Sequence, residues 1–248
     1  KLGITLDVLH MNEGHSAFAP FERCRQMMAK NKLNFSEAVE ISKKSTVFTT
    51  HTPVPAGNDE FNVDLIKKYF NEYVKGLQLS IDSFIQIGQL NRSNPFDPFS
   101  MTVAAINNAS YLNGVSELHS EVAKKMWVNI WKDIPMEHVP IKAITNGIHT
   151  KSWISNEMGD LFERYLGDNW EERQEEPNLW EKVSKIPHPE IWSAHQIGRR
   201  RLVRFVRKRV KKQLINKGAS KVLIKGASEV LNPEALTIGF ARRFATYK

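Results

Sequence analysis

Two spacings of apolar residues alternate along this chain, and together they predict an α/β fold. Short apolar runs typical of buried strands occur at Leu2–Leu9, Thr46–Thr50, Val139–Ile148 and Leu236–Phe240. Between them lie longer segments in which apolar residues recur every three or four positions, which is the spacing of amphipathic helices. The order β-α-β-α-β favours a parallel, doubly wound sheet.

Start and stop signals divide the segments between the strands into helices. One helix is predicted over residues 16–30, because Pro20 is tolerated in a first turn. A second, over residues 34–43, has Asn34 or Ser36 as its candidate N-cap. Further helical segments are predicted near residues 63–74, within the irregular stretch 153–189 and over residues 189–216.

The apolar stretch 101–127 contains the pair Asn113-Gly114. We interpret this pair as an interruption between two helices rather than as a hairpin turn. The helix that follows, with His119 and Glu121, could present free backbone amides to an anion. The alternative is a helix start that simply packs on the sheet.

Composition limits the class of protein. The chain has 248 residues, of which 41% are apolar and 25% charged, values ordinary for a globular protein. No apolar run reaches the length of a membrane span, and the first residues do not resemble a signal peptide. Cys24 is the single cysteine, which excludes an internal disulfide framework and favours a reducing, cytoplasmic setting. Because the chain begins with Lys1 rather than Met, we expect it to be part of something longer.

The net charge of +8 comes from one segment. Residues 199–212 hold nine Lys and Arg residues and no acid, whereas residues 168–181 are rich in Asp and Glu. A basic helix of this kind could bind a nucleic-acid backbone. The apolar stripe that accompanies the charges fits an interdomain helix with one solvated face equally well, so the sequence argues against a nucleic-acid partner. The stripe consists of Leu202, Phe205, Val206, Val210 and Leu214.

Polar residues follow the first predicted strand. Asn12, Glu13 and His15 offer an amide, a carboxylate and an imidazole within four residues, which suits hydrogen bonding to sugar hydroxyls. A plain turn before a helix explains the same residues equally well. The spacing of His10, Glu13 and His15 does not match the histidine pair of a zinc-binding helix, so no metal is expected.

Two more strand ends carry candidate ligand-binding residues. The strand at 46–50 runs into His51 and a loop whose prolines restrict φ, and a loop at the end of a parallel strand is where open α/β sheets bind ligands. His51 could also be a structural residue. Asn146, at the end of the strand near residue 148, can both donate to and accept from a hydroxyl, and Gly147 allows close approach.

The final segment delivers positive charge after its apolar run. Arg243 and Lys248 could converge on a phosphate group, with the guanidinium as a fork and the ammonium as a point charge. A solvated helix start is the alternative interpretation.

Five strings occur in an order and spacing that resemble the α-glucan phosphorylases, which act on glycogen, starch and maltodextrin. They are HMNEGHSAF, TTHTPVPAGNDEF, MTVAA with YLNGVSELHSEVAKKMW, ITNGIHT, and LTIGFARRFATYK. The resemblance covers nearly the whole chain, and the short bacterial and archaeal type is the most similar.

The resemblance implies a GT-B architecture, in which two Rossmann-like lobes enclose the active site. Residues 1–150 would be the later part of the first, glucan-binding lobe, and residues 151–230 a helical interdomain region. Residues 231–248 would begin the second lobe, which binds pyridoxal phosphate and phosphate. The chain would thus contain the late part of one Rossmann-like sheet and the first strand of another.

The resemblance also implies an activity and its site. The family degrades α-1,4-glucan with inorganic phosphate, releases glucose 1-phosphate with retention of configuration, and carries pyridoxal phosphate. Asn12, Glu13 and His15 would lie beside the glucose pocket, and His51 would contact the sugar whose bond is cut. Asn146 would bind the hydroxymethyl group of the glucose. Arg243 and Lys248 would bind the phosphates.

Several family features are missing from the chain, and this limits the expectation. The lysine that attaches pyridoxal phosphate and the glycine-rich loop that faces the phosphate have no counterpart here. Residues 104–110 and Pro20 also depart from the family pattern. We therefore expect an internal piece of a phosphorylase that is incomplete for catalysis, with a homodimer possible for the whole protein. The alternatives are a non-catalytic carbohydrate-binding fragment and, lower in rank, a GT-B glycogen or starch synthase.

Overall fold

The computed structural model describes residues 6–241, which divide into two compact units between Asn146 and Gly147. The first unit is an α/β unit and the second is helical. The predicted strand at Thr46–Thr50 and the predicted long helix starting near residue 189 are confirmed.

Six strands and six helices form the first unit. The strands are β1 (Leu9–Asn12), β2 (Thr46–Thr50), β3 (Glu60–Phe61), β4 (Phe99–Ser100), β5 (Tyr111–Gly114) and β6 (Ile141–Ala143). The helices are α1 (Ala19–Asn31), α2 (Phe35–Lys44), α3 (Val63–Phe70), α4 (Ile81–Gly88), α5 (Met101–Asn107) and α6 (Glu117–Trp127). Short 3₁₀ turns lie at Gly14–Ser16, Pro55–Gly57, Tyr73–Leu77, Val128–Ile130 and Met136–His138.

The four strands of the main sheet are all parallel and follow the order β1-β2-β5-β6, whereas β3 and β4 form a separate antiparallel pair. Strand order therefore follows chain order. Because connections between parallel strands are right-handed, this order places the connecting helices on one face of the sheet. A doubly wound sheet has helices on both faces, so the parallel strands are confirmed, while the doubly wound arrangement stays a prediction.

The two faces of this sheet differ in polarity, as the period of two along each strand requires. One face is apolar and buried, and it is formed by Met11, Phe48, Leu112 and Ile141. The other face is polar: His10, Asn12 and Lys142 are exposed, while Thr49 and Asn113 are buried between their neighbours. Within the described residues, polar side chains therefore occupy the second face.

Local sequence explains the helix starts. Asn34 accepts a hydrogen bond from the backbone N–H of Glu37, and the Glu37 carboxylate accepts one from the N–H of Asn34 at 2.9 Å. This reciprocal pair is a capping box, so Asn34 rather than Ser36 is the N-cap of α2. Pro20 lies in the first turn of α1, where its missing N–H costs no helical hydrogen bond.

The second unit consists of five helices and has a small core of aromatic and aliphatic side chains. These helices are α7 (Thr150–Trp153), α8 (Asn156–Leu166), α9 (Pro177–Glu181), α10 (His188–Asn216) and α11 (Lys221–Gly226), with 3₁₀ turns at Trp170–Arg173 and Lys182–Lys185. Trp170 is buried at the centre, with its ring edge-on to Phe162 at 5.2 Å between centroids.

Three strand predictions need correction. The first strand was expected at Leu2–Leu9, but of the described residues only those from Leu9 onward belong to it, because its partner β2 begins at Thr46. The segment Leu236–Phe240 was expected to be a strand but has no strand partner in the described chain, and its apolar side chains are exposed. The predicted strand at Val139–Ile148 shortens to β6.

The interpretation of Asn113-Gly114 as a break between two helices was wrong, since both residues belong to β5 in the middle of the sheet. Glycine is needed there for packing, not for a turn. A Cβ on Gly114 would lie 2.8 Å from Nδ1 of His119 and 2.9 Å from the backbone nitrogen of Ser120. The glycine therefore lets α6 approach β5 closely, in agreement with the alternative of a helix start that packs on the sheet.

A cluster of phenylalanine rings forms the core between α1, α4 and β4. Phe84 lies 4.8 Å from Phe21 and 5.7 Å from Phe99 between ring centroids, and all three are fully buried. Gly88 lies directly against this group, because a Cβ there would be 2.5 Å from two carbons of the Phe99 ring.

We predict that Gly88→Ala destabilises the first unit by about 1–3 kcal/mol, since the buried ring has no room to move away. Gly76→Ala is the control, because its Cβ would meet only the flexible Arg25 side chain at 3.4 Å. Urea unfolding followed by circular dichroism measures both changes. Equal stability of the two variants would contradict the packing argument.

Candidate active site at the carboxyl ends of the parallel strands

The ends of β1, β2, β5 and β6 meet at one edge of the sheet, because all four strands run in the same direction. Side chains on the polar face of the sheet and in the segments that follow the strands surround an open depression of about 510 Å³. It is lined by His10, Asn12, Val47, Thr49, His51, Asn113, Ile144 and Asn146. A ligand site at this position agrees with the general rule for open α/β sheets.

Glu13 joins the end of β1 to the end of β2. Its Oε1 accepts hydrogen bonds from the backbone N–H groups of His51 and Thr52, the latter at 2.8 Å, and from the Thr52 hydroxyl at 3.1 Å. His51 Nδ1 lies 3.5 Å from the same oxygen. One carboxylate oxygen thus fixes the backbone on which His51 stands.

The backbone of Glu13 is strained. Its φ of 70° and ψ of 168° fall in a region that glycine almost alone adopts. The conformation is held from both sides, because the N–H of Glu13 donates to Thr49 O at 2.9 Å and the Ser16 hydroxyl donates to Glu13 O at 3.2 Å. Strain of this kind is common at ligand sites, where the surrounding contacts outweigh its cost.

A chain of hydrogen bonds crosses the polar face of the sheet from β1 to β5. His10 Nε2 lies 2.8 Å from Thr49 Oγ1, and the Thr49 hydroxyl donates to Oδ1 of Asn113 at 2.8 Å. Nδ2 of Asn113 donates to the Gly114 carbonyl at 3.2 Å. These side chains form the floor of the depression, and their mutual hydrogen bonds fix its shape.

Backbone hydrogen bonds to β5 position Asn146. The N–H of Ile144 donates to Gly114 O at 3.0 Å, and the N–H of Asn146 donates to Val115 O at 3.2 Å. The chain after β6 therefore follows the end of β5, and the Asn146 amide reaches the rim of the depression.

The loop after His51 is held by Asn58. Its Nδ2 donates to the carbonyls of Val54 and Pro55, and its Oδ1 accepts from the Thr102 hydroxyl at 2.8 Å. Burial, assisted by the negative charge of Asp97, raises the pKa of the nearby Glu60 carboxyl. Asn58 is a structural residue of the loop.

The structure brings together three of the seven predicted site residues, namely Asn12, His51 and Asn146. Glu13 contacts the site only through the backbone it holds, and His15 is exposed in the 3₁₀ turn outside the lining of the depression. Arg243 and Lys248 lie outside the described residues. The functional roles of all seven stay predictions.

Sequence reasoning missed His10, Thr49 and Asn113 as site residues. The signal that could have found them is the polar residue at every second position of otherwise apolar strands, as in His10 and Asn12 on β1. Such alternation predicts a strand with one polar face.

Residues 6–241 contain neither a candidate metal site nor a helix suited to cross a membrane. No group of three or more His, Cys, Asp or Glu residues there is placed to hold a metal ion. Among the helices of that range, none combines the length and the apolar character needed to cross a membrane.

These features define an α/β unit with a polar candidate site at the carboxyl ends of its parallel strands. The chain belongs to the carbohydrate phosphorylase family, whose model matches residues 5–227.

Individual relatives agree with this assignment. A maltodextrin phosphorylase of Thermococcus litoralis is 41% identical over 247 residues, which cover 100% of this chain and 28% of that protein. A glycogen phosphorylase of Aquifex aeolicus is 31% identical, with 100% of this chain and 35% of that protein covered. A glycogen phosphorylase of Mycobacterium tuberculosis is 32% identical, with coverages of 98% and 28%. The chain thus spans about a third, or less, of the length of these relatives.

We predict that Glu13→Ala destabilises the first unit more than Glu13→Gly does. Both variants lose the hydrogen bonds to His51 and Thr52, each worth about 1–3 kcal/mol for a charged acceptor. Only alanine retains the backbone strain, which is worth about 1–3 kcal/mol. The free energy of unfolding in urea measures the difference, and hydrogen exchange of the 51–59 loop should accelerate in both variants. A more stable Ala variant would contradict the strain argument.

Proposed function

We propose that the protein carrying this chain is an α-1,4-glucan phosphorylase, which cleaves the terminal glucosidic bond with inorganic phosphate and releases glucose 1-phosphate with retention. The proposal extends the family membership to an activity. The observation that supports it best is the composition of the depression, whose polar lining consists of amide, hydroxyl and imidazole groups. Such groups suit a neutral, polyhydroxylated ligand.

The same lining speaks against glycosidase-type hydrolysis. That chemistry uses two carboxyl groups on either side of the scissile bond, and none of the described residues that line the depression is Asp or Glu. In phosphorolysis the phosphate itself can protonate the leaving oxygen and then capture the sugar. The protein is left with positioning and charge stabilisation, which neutral hydrogen-bonding groups can supply.

In this proposal Asn12, His51 and Asn146 contact the glucosyl unit at the end of the glucan. His51 is 37% exposed in its side chain and contacts the sugar whose bond is cut, from a backbone held by Glu13. Asn146 binds the hydroxymethyl group from the rim of the depression. Glu13 and His15 support the pocket, and Arg243 with Lys248 binds the phosphates.

We extend the proposal to the architecture of the whole protein. Residues 1–150 belong to the first lobe of a GT-B fold, residues 151–230 to an interdomain region and residues 231–248 to the second lobe. The parallel sheet of the first unit is compatible with a Rossmann-like lobe.

Pyridoxal phosphate is proposed as the cofactor of the whole protein on the strength of the family alone. Its phosphate would supply proton transfer next to the substrate phosphate. The residues assigned to that region, Arg243 and Lys248, lie outside the described part of the chain. A homodimer and a cytoplasmic location are likewise expectations for the whole protein.

Two other functions are considered, namely glucan binding without catalysis and nucleic-acid binding. A glucan-binding protein without activity would retain maltodextrin affinity and release no glucose 1-phosphate. A nucleic-acid binder would use the basic segment of α10, where Arg207 donates to the carbonyls of Val230 and Leu231 and Arg201 pairs with Glu157. Those two guanidinium groups are thus engaged within the second unit, which favours the structural interpretation of the helix.

We predict that the protein encoded by the natural gene releases glucose 1-phosphate from maltoheptaose and phosphate, measured by coupled spectrophotometry. His51→Ala and Asn146→Ala should each lower kcat/KM by about 10- to 100-fold, because each removes hydrogen bonds to the reacting sugar.

The controls are His138→Ala and Asn71→Ala, which remove exposed residues of the same two types outside the depression. Their kcat/KM values should match those of the wild type. Binding of maltoheptaose without release of glucose 1-phosphate, with pyridoxal phosphate present, would contradict the proposed activity and support the non-catalytic rival.

A further inference from the structure

We infer that His10 is a specificity-determining residue, which accepts a hydrogen bond from one hydroxyl group of the bound glucosyl unit. The inference rests on the proposed function and adds to it a contact that the family resemblance did not supply. It follows from the direction of the hydrogen bonds on the floor of the depression.

The direction of the hydrogen bonds that run from His10 through Thr49 to Asn113 is set at the Asn113 end. Asn113 is buried, and its Nδ2 donates to the carbonyl oxygen of Gly114. A flipped amide would place Oδ1 against that carbonyl oxygen, and two acceptors repel each other. Oδ1 of Asn113 therefore points to Thr49 and must accept.

The hydroxyl of Thr49 has a single hydrogen, and Asn113 Oδ1 takes it. The Thr49 oxygen can then only accept from the atom on its other side. That atom is Nε2 of His10, at 2.8 Å. His10 Nε2 must therefore carry a proton.

With the proton on Nε2, the second ring nitrogen of neutral His10 is an acceptor. No described side chain or backbone group hydrogen-bonds to Nδ1, the His10 side chain is exposed, and the residue lines the depression. The ring thus presents an acceptor to a ligand. A sugar hydroxyl can donate to it, whereas a fully ionised phosphate oxygen cannot.

Thr49 and Asn113 are positioning residues in this scheme. They lie on two neighbouring strands, paired directly with each other in the sheet register. Because they are nearly fully buried, they hold the tautomer of an exposed histidine by contacts that water does not replace. The His10 acceptor is therefore fixed before the sugar arrives.

The experiment measures inhibition constants of monodeoxy and monodeoxyfluoro glucose 1-phosphates against the protein encoded by the natural gene. In the wild type, removal of one particular hydroxyl should weaken binding by about 5- to 10-fold, the worth of one neutral hydrogen bond. Fluorine at that position should not restore binding, because fluorine can accept but cannot donate.

Variants separate His10 from the rest of the site. His10→Ala should bind the parent sugar phosphate about 5- to 10-fold more weakly and should no longer distinguish it from the deoxy compound. His10→Gln should restore the discrimination, since its amide can donate to Thr49 and accept from the sugar. Thr49→Val should reduce the discrimination, and Thr49→Ser should retain it.

Several outcomes would overturn the inference. Uniform weakening of every analogue by His10→Ala would show a structural role, and rescue by fluorine would show that His10 donates. If His10→Ala still distinguished the parent sugar phosphate from the deoxy compound and had normal activity, His10 would not be the acceptor of that hydroxyl, while the proposed function would stand. A wild type that neither binds nor cleaves glucan would overturn the proposed function and the inference together. Thermal unfolding of each variant identifies any that fail to fold, and His10→Gln then decides.

Discussion

The geometry of the site depends on one partly buried contact at the edge of the sheet, between the carboxylate of Glu13 and the backbone that follows β2. Parallel strands end in backbone N–H groups that have no partner in the sheet, and each such group needs an acceptor. Glu13 Oε1 accepts from two consecutive N–H groups and one hydroxyl. To reach them the residue adopts a backbone conformation that is rare outside glycine. The position of His51 and the start of the loop after it depend on this contact, while Asn58 holds the rest of the loop.

The sheet supplies the second half of the site. Its strand order leaves one face without connecting helices, and that face carries polar side chains at alternate positions. Hydrogen bonds among these side chains run across three strands and end on a backbone carbonyl. These hydrogen bonds fix the positions of the side chains on the floor of the depression, although the same groups could have bonded to water instead.

Much of this arrangement could be read from the chain, and the failures have physical causes. The capping residue of α2 and the strand at residues 46–50 follow from local chemistry, which acts over three or four residues. The prediction for Asn113-Gly114 was wrong because the same dipeptide occurs both in turns and where a helix packs closely on a strand. Only the position of α6 distinguishes the two cases. The strand expected at Leu236–Phe240 failed for a related reason, since a strand needs a neighbour and a sequence does not say where one lies.

Glu13 shows the limit of motif reasoning at the site itself. The sequence singled out this residue as a candidate for sugar binding, and in the structure its carboxylate faces backbone amides instead of the depression. His10, by contrast, stood in the same string and was treated only as a metal ligand to be excluded. Hydrogen-bond direction is a property of several residues together, so it emerges only when Thr49 and Asn113 are placed beside it.

The agreement of strand order with chain order also bears on how the first unit forms during synthesis. Each new strand of the sheet pairs with the strand completed immediately before it. The nascent chain can therefore extend the sheet one strand at a time as it leaves the ribosome, without holding an earlier gap open for a later segment. Loop closure between successive strands spans the intervening helices and, between β2 and β5, the β3–β4 pair as well, and its entropy cost grows only slowly with the length of the connection.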